Sequence, residues 1–287
     1  MNGFVRIDKG AGLRSREADG AVKRVFRAKR VGHLGTLDPF ATGLLIVAAD
    51  EATKALSLLD EEEKEYMATL RLGESTVTLD TETPVSLHAP VPELSEAEII
   101  DVLSSFLGTS LQTPPLYSAK WVEGKRAYDF AREGEKVALK PISITISAIH
   151  LVSYDPKARD LLFSATVSKG TYLRVLGKDI AAKLGTIGYL RELRRTRVGS
   201  FTVEGAPTIE TLTEKDCVPI EQFLSFIPQH ECTLEESLRV QNGNDIALPG
   251  SSPYLFLMEK GILLAVYRKE QDFYRSYRGF YYGNQSH

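Results

Sequence analysis

Cysteine, tryptophan and methionine are scarce in this chain of 287 residues, with counts of two, one and three. Cys217 and Cys232 alone make neither a disulfide framework nor a zinc site, which fits a reducing, cytoplasmic setting. No apolar h-region follows Met1, and no apolar run nears the roughly 18 residues a membrane span needs, so neither export nor membrane insertion is expected. His33, His88, His150, His230 and His287 lie scattered without metal-ligand spacing, so no metal is expected. A G-x-x-x-x-G-K-[ST] loop and a dinucleotide fingerprint are both missing, and no cofactor is implied. Internal repeats and low-complexity tracts are likewise absent.

The net charge of −3 argues weakly against nucleic acid as a partner, but charge distribution matters more than its sum. Lys23, Arg24, Arg27, Lys29 and Arg30 fall in a stretch without a single acid. From Lys169 to Arg197, eight bases face only Asp179 and Glu192. Either run alone reads as a solvated helix face. Two such runs beside candidate site segments favour phosphate contacts.

What the chain does have is the run Val31-Gly-His-Leu-Gly-Thr-Leu-Asp-Pro-Phe-Ala-Thr-Gly43, followed by the apolar strand Leu44–Ala49. The Asp38-Pro39 step favours an extended or turn geometry over helix. A carboxylate on a turn fixed by a strand is a candidate reaction centre. A lone Gly-x-x-Asp-Pro more often marks a solvated turn; the whole run and later segments reverse those odds.

Periodicity predicts a strand at 3–8 and then a helix capped by Ser15 with Ala18, Ala21, Val22, Val25 and Phe26 on its buried face. Alternation predicts a strand from Glu65 to Gly73. Ser95 and Glu98 form a capping box for a helix ended by Gly108. Strands are expected at 142–153 and 160–168. A helix is expected from Tyr172 to Leu184, its stripe of Leu173, Leu176, Ile180 and Leu184 leaving Arg174 off the buried face. A linker near 206–230 then leads to strand-like runs at 254–258 and 261–267.

Four segments in register resemble motifs of the bacterial tRNA pseudouridine synthase B family. The Val31–Gly43 run fits G-H-x-G-T-L-D-P-x-A-T-G at every fixed position. Asp8-Lys9 with Gly12 and Ser15 resembles D-K-P-x-G-x-T-S. Gln112-Thr-Pro-Pro-Leu-Tyr-Ser-Ala119 resembles Q-x-P-P-x-Y-S-A, and Ser168-Lys-Gly-Thr-Tyr-Leu-Arg174 resembles S-K-G-T-Y-I-R. The resemblance covers about residues 3–205 strongly and the tail weakly.

It implies an α/β (α+β) fold: a mixed, largely antiparallel sheet flanked by helices. Residues 1–220 would form the catalytic domain, with an RNA-clamping insertion at about 112–138 carrying Lys120, Lys125, Arg126 and Arg132. Residues 231–287 would form a small β module of the RNA-binding PUA type. The implied reaction isomerises uridine 55 in the T-loop of tRNA to pseudouridine, with no cofactor. The target base is flipped out of its stack. Asp38 matches the catalytic aspartate, acting at C1′ as nucleophile or at C2′ as base. Arg174 matches its arginine partner, and Tyr66 the tyrosine that stacks on the base. His33, Lys9, Lys169, Tyr172 and Leu193 are the implied substrate-binding residues. The expected partner is the tRNA T-arm, met by a monomer needing no other protein. Gly10 and Arg14 depart from the opening motif, and Val77 stands where an acid is common, a change expected to adjust a hydrogen-bond network. A tRNA-folding factor and a guide-RNA-dependent relative are the rival readings.

Overall fold

The computed structural model describes residues 1–115, 117, 139–280 and the strand pairs at 121–122 and 125–126. Most of the expected insertion, with Lys120 and Arg132, lies outside the described residues.

The first element, β1 (Gly3–Lys9), leads to helix α1 (Ser15–Val25), then β2 (Val31–Leu34) and β3 (Thr42–Ala49). A run of 3₁₀ turns (Asp50–Leu59) precedes β4 (Lys64–Leu72) and the hairpin of β5 (Glu74–Thr76) and β6 (Val85–His88). Next come α2 (Glu96–Ser104), β7 (Gly108–Gln112), and the short pair β8 (Trp121–Val122) and β9 (Lys125–Arg126). β10 (Ile142–Asp155), β11 (Asp160–Val167), α3 (Leu173–Lys183), β12 (Gly188–Val198) and β13 (Phe201–Thr202) complete the larger part.

The large sheet runs β1-β3-β12-β4-β11-β10-β7, with β2 paired to β3 and β13 to β12. Every pairing in it is antiparallel except β3 with β12. The mixed, largely antiparallel sheet flanked by helices is therefore the fold observed.

β3 explains the layering. Its residues Gly43 to Ala49 are all buried, because both faces of the strand are covered. Leu45, Val47 and Ala49 join the core under α1, α2 and α3, with Ala18, Val22, Ile99, Leu176 and Ile180. Leu44, Ile46 and Ala48 join a second core on the opposite face.

That second core includes the segment expected to be a linker. Helix α4 (Ile220–Phe223) buries Ile220 and Phe223, followed by buried Leu224 and Ile227. Phe223 stacks on Phe4 at 4.7 Å and on Phe201 at 4.3 Å, pairs worth about 0.5–1.5 kcal/mol each beyond area burial. This stretch is a packed wedge, not a tether.

Beyond it lie β14 (Gln229–Glu231), α5 (Leu234–Gln241), β15 (Tyr254–Glu259), β16 (Ile262–Glu270) and β17 (Phe273–Gly279), a four-stranded sheet with one helix. Phe256, Met258 and Val266 of this sheet share the second core with Phe4 and Ile46. Its other face packs Leu257, Tyr267 and Tyr274 against Val240 of α5. Among the described residues no helix is long and apolar enough to cross a membrane.

Candidate active site

A cavity of about 280 Å³ opens where the β2–β3 loop, the start of β4, the β11–α3 loop and β12 converge. That size is near the lower bound of roughly 300–1,000 Å³ for small-molecule sites, enough for one nucleoside. Asp38, Tyr66, Lys169, Tyr172, Arg174 and Leu193 all line it. Six of the eight residues expected from sequence therefore share one cleft, drawn from segments over 150 positions apart in the chain.

Asp38 sits in a turn closed by the Ala41 N–H donating to Asp38 O at 3.1 Å. Two side chains hold this turn from below. Ser15 Oγ accepts from Leu37 N at 3.0 Å and donates to Leu37 O at 3.1 Å, clamping the residue before the aspartate. Ser15 is thus not the helix cap: Arg14 holds that position, its backbone N–H donating to Glu17 Oε2 at 2.8 Å. Fully buried Lys9 donates to Gly10 O, Leu13 O and Pro39 O at 3.0, 2.7 and 3.2 Å, tying the opening segment to the Asp38-Pro39 step. Its burial lowers the ammonium pKa to about 8, against the pull of the Asp38 charge. Lys9 supports the loop and lies outside the cavity lining.

Arg174 projects from the first turn of α3. Contrary to the helical spacing, that whole turn is buried, and the Arg174 side chain is only 5% exposed. Its Nε lies 2.9 Å from Asp38 Oδ2, and Nη1 lies 3.2 Å from Asp80 Oδ2. Nη1 also donates to Thr78 O and Nη2 to Tyr117 O, both at 2.8 Å. A guanidinium satisfied on every side is fixed in place and aims Asp38.

Of the three ionic groups, only Asp38 opens outward, 39% exposed against 2% for Asp80. That exposure is into the cleft. Enclosure there pushes the Asp38 carboxyl above its ordinary pKa; Arg174 opposes the push, and the Asp80 charge adds to it.

Asp80, which sequence reasoning did not single out, stands behind this pair. It is held in a tight loop: Thr78 Oγ1 donates to Asp80 Oδ1, and the Glu82 N–H donates to the same oxygen at 2.9 Å. Val77, expected to adjust this network, is 60% exposed and outside it; Thr76 and Thr78 make the bonds.

Tyr66 both joins the first core and faces the cavity, near the start of β4. Tyr172 is positioned through its backbone: its N–H donates to Gln112 Oε1 at 2.8 Å and its carbonyl accepts from Gln112 Nε2 at 3.2 Å. A side chain at the end of β7 thereby caps the start of α3. His33 lies outside the lining, its Nδ1 2.8 Å from Asp19 Oδ2 and its Nε2 3.1 Å from Thr36 Oγ1. It braces the loop from the α1 side.

The basic run Lys169–Arg197 is largely neutralised within the fold. Lys169 pairs with Asp60 and Glu61, Arg191 with Asp160, Arg194 with Asp8 and Arg197 with Glu65. Arg195, which sequence reasoning did not single out, is fully buried in the cavity floor and donates to Leu44 O at 2.7 Å and Gly35 O at 3.0 Å. Lys64, also lining the cavity, has its pKa lowered by burial and by the Arg195 charge. The Lys23–Arg30 run is more open: Lys23, Arg24 and Lys29 are exposed, while Arg30 pairs with Glu51.

Known proteins resemble this chain along most of its length. A family model described as TruB family pseudouridylate synthase (N terminal domain) matches residues 23–173, and one described as tRNA pseudouridylate synthase B C-terminal domain matches residues 174–227. The tRNA pseudouridine synthase B of Aquifex aeolicus is 37% identical over 253 residues, covering 86% of this chain and 88% of that one. The protein of the same name from Thermobifida fusca is 38% identical over 274 residues, covering 92% and 94%. Among solved structures, a Cbf5-Nop10-Gar1 complex matches with a TM-score of 0.70 at 26% identity, over 93% of this chain and 78% of that chain. A structure of an H/ACA RNP bound to a substrate RNA shares the fold, with a TM-score of 0.72 at 22% identity, over 97% and 85%.

Proposed function

The chain belongs to the TruB family of pseudouridylate synthases, and on that premise we propose that it converts uridine 55 in the tRNA T-loop to pseudouridine, with Asp38 as its catalytic carboxylate. The observation that carries the assignment is the Asp38–Arg174 pair at 2.9 Å, presented at the mouth of a cavity that Tyr66 also lines.

Pseudouridylation breaks the N1–C1′ bond, turns the uracil and joins its C5 to C1′. Atoms are conserved, so neither an oxidant nor a second substrate is required. The sugar gains positive character as the first bond stretches, and an ionised carboxylate at that point stabilises it. Asp38 then acts at C1′ as nucleophile or takes the C2′ proton as base. Arg174 keeps the carboxylate oriented through either course. The released base stays between Tyr66, Tyr172 and Leu193 while it rotates.

A stacked uridine cannot reach Asp38, so the nucleotide enters flipped out, at a cost of a few kcal/mol that an irregular loop reduces. The tRNA T-arm meets that requirement. Lys23, Arg24 and Lys29 are exposed and available to its phosphates, and the C-terminal sheet extends the binding surface. The enzyme acts in the cytoplasm as a monomer, without a guide RNA or protein partner.

Purified protein and a bare T-arm transcript test the reading together. Pseudouridine is expected at position 55 with wild type and nowhere with Asp38→Ala, which should still bind the transcript. Turnover by Asp38→Ala would remove the assigned role. A requirement for added protein or guide RNA would favour the guide-dependent rival. Equal rescue of tRNA refolding by both proteins would support an additional folding role.

A further inference from the structure

Sequence spacing suggests no metal site, but the fold gathers three different ligand types outside the lining of the catalytic cleft. His230 lies in β14, Cys232 just beyond its end, and Glu236 in the first turn of α5. Residues two apart on an extended chain point to the same side, so His230 and Cys232 both face the helix start. Thr233 caps that helix, its Oγ1 accepting from Glu236 N at 3.3 Å, while its own N–H donates to Glu236 Oε2 at 2.8 Å. The capping box holds the Glu236 carboxylate next to the strand.

The ligand atoms of the three residues all lie within 4.8 Å of one another, with His230 Nε2 3.2 Å from Glu236 Oε2. Bonds of about 2.0–2.3 Å in a tetrahedral zinc site set ligand atoms about 3.5 Å apart. The cluster is therefore already near the required size, and small side-chain rotations close the rest. All three residues are partly buried, which gives an ion both shelter and a route in.

We propose that His230, Cys232 and Glu236 form a site for a divalent transition-metal ion, zinc in the first instance, with a water as fourth ligand. One imidazole nitrogen, one thiolate and one carboxylate suit a borderline-soft ion, whereas calcium or magnesium would require oxygen donors throughout. Coordination takes the thiol proton to solvent and involves no change of oxidation state. The site joins the end of β14 to α5, so the bound ion staples the strand to the helix of the C-terminal module. It plays no part in uridine isomerisation, and the inference stands independently of the function proposed above.

Chelator-treated full-length protein titrated with zinc or cobalt alone tests it. One equivalent of cobalt should produce a near-ultraviolet thiolate-to-cobalt band, and zinc should displace it. Zinc should raise the apparent Tm with the logarithm of its free concentration. Cys232→Ser should lose the band, Cys217→Ser should keep it, and His230→Ala should weaken binding beyond the roughly 10–100-fold that losing an outer-sphere partner costs. Absence of a band in folded wild-type protein, or a band that follows Cys217 instead of Cys232, overturns the proposal. Circular dichroism on each variant separates loss of metal from loss of fold.

Discussion

Arg174 Nε stands 2.9 Å from Asp38 Oδ2, the guanidinium buried and the carboxylate open to the cavity. The arginine is immobilised by Asp80, Thr78 and Tyr117, so the aspartate inherits its orientation from groups that do not line the cavity. Replacing Arg174 by lysine keeps one charge but loses the planar fork that serves four partners. We expect Arg174→Lys to lower kcat by at least about a hundredfold, the scale for losing one electrostatic stabiliser, with tRNA affinity nearly unchanged. Single-turnover kinetics beside filter binding would separate the two; a matched loss of binding would mean that Arg174 serves RNA docking instead.

Asp38 carries a raised pKa because the cleft disfavours its charge. The folded state therefore holds the Asp38 proton to higher pH than the unfolded chain, whose carboxyl titrates near about 3.9. Stability from that difference is present below about pH 3.9 and is lost as pH rises through the folded pKa. Asp38→Asn removes an ionised group that the fold tolerates at a cost, so the inactive variant should melt higher than wild type at pH 7. The gap should close toward pH 4. Calorimetry across that range checks the sign, and a less stable Asp38→Asn at neutral pH contradicts it.

Asp80 acts on the same titration from behind. Its charge pushes the Asp38 pKa upward, and it competes for Arg174. In Asp80→Asn both influences fall on Asp38 in one direction: the carboxyl ionises more readily, and the acid limb of kcat/KM should move to lower pH. Stability should fall, by less than the roughly 3–5 kcal/mol typical when one partner of a buried pair is removed outright, because Arg174 retains Thr78, Tyr117 and Asp38. A pH–rate profile that shifts upward, or not at all, would show that Asp80 is merely structural.

Legibility in the sequence followed the reach of each signal. That Asp38, Tyr66 and Arg174 share one cleft was legible because motifs report local order, and β4 and α2 because alternation and a capping box are short-range patterns. The burial of Arg174 could not, since a single apolar stripe says nothing of a helix whose first turn plugs a cleft. Ser15 looked like a cap because serine before an apolar helix usually is one; its hydroxyl is instead engaged by Leu37, twenty-two positions away. β7, with Gly108-Thr-Ser-Leu-Gln112, has no alternation because it is a largely exposed edge strand. β12 reads as a basic run because Arg191, Arg194 and Arg197 reach acids on other strands of the sheet, and the inward one, Arg195, looks like the rest until the Leu44 and Gly35 carbonyls it serves are known.

Gly43, the last residue of the Asp38 motif, has a conformational requirement that no other residue meets. Its φ is +99°, a left-handed region that side chains rarely enter, and a Cβ there would lie 2.2 Å from the Arg195 carbonyl oxygen. The close approach is the parallel pairing of β3 with β12, where Gly43 sits opposite Arg195. Backbone cannot yield as a flexible side chain would. Gly43→Ala should therefore carry about 1–3 kcal/mol of dihedral strain, with the contact adding to it. The damage should reach chemistry too, because Arg195 supports the carbonyls of Leu44 and Gly35 on either side of Asp38. Urea titration should show a lower midpoint at unchanged slope, and residual activity should fall through kcat. Gly12→Ala provides the comparison: its φ is +80° but no atom lies within 4 Å of the added Cβ, so it carries strain alone. If the two variants lose equal stability, the close approach of β3 to β12 contributes nothing, and the glycine is retained only for its dihedral angle.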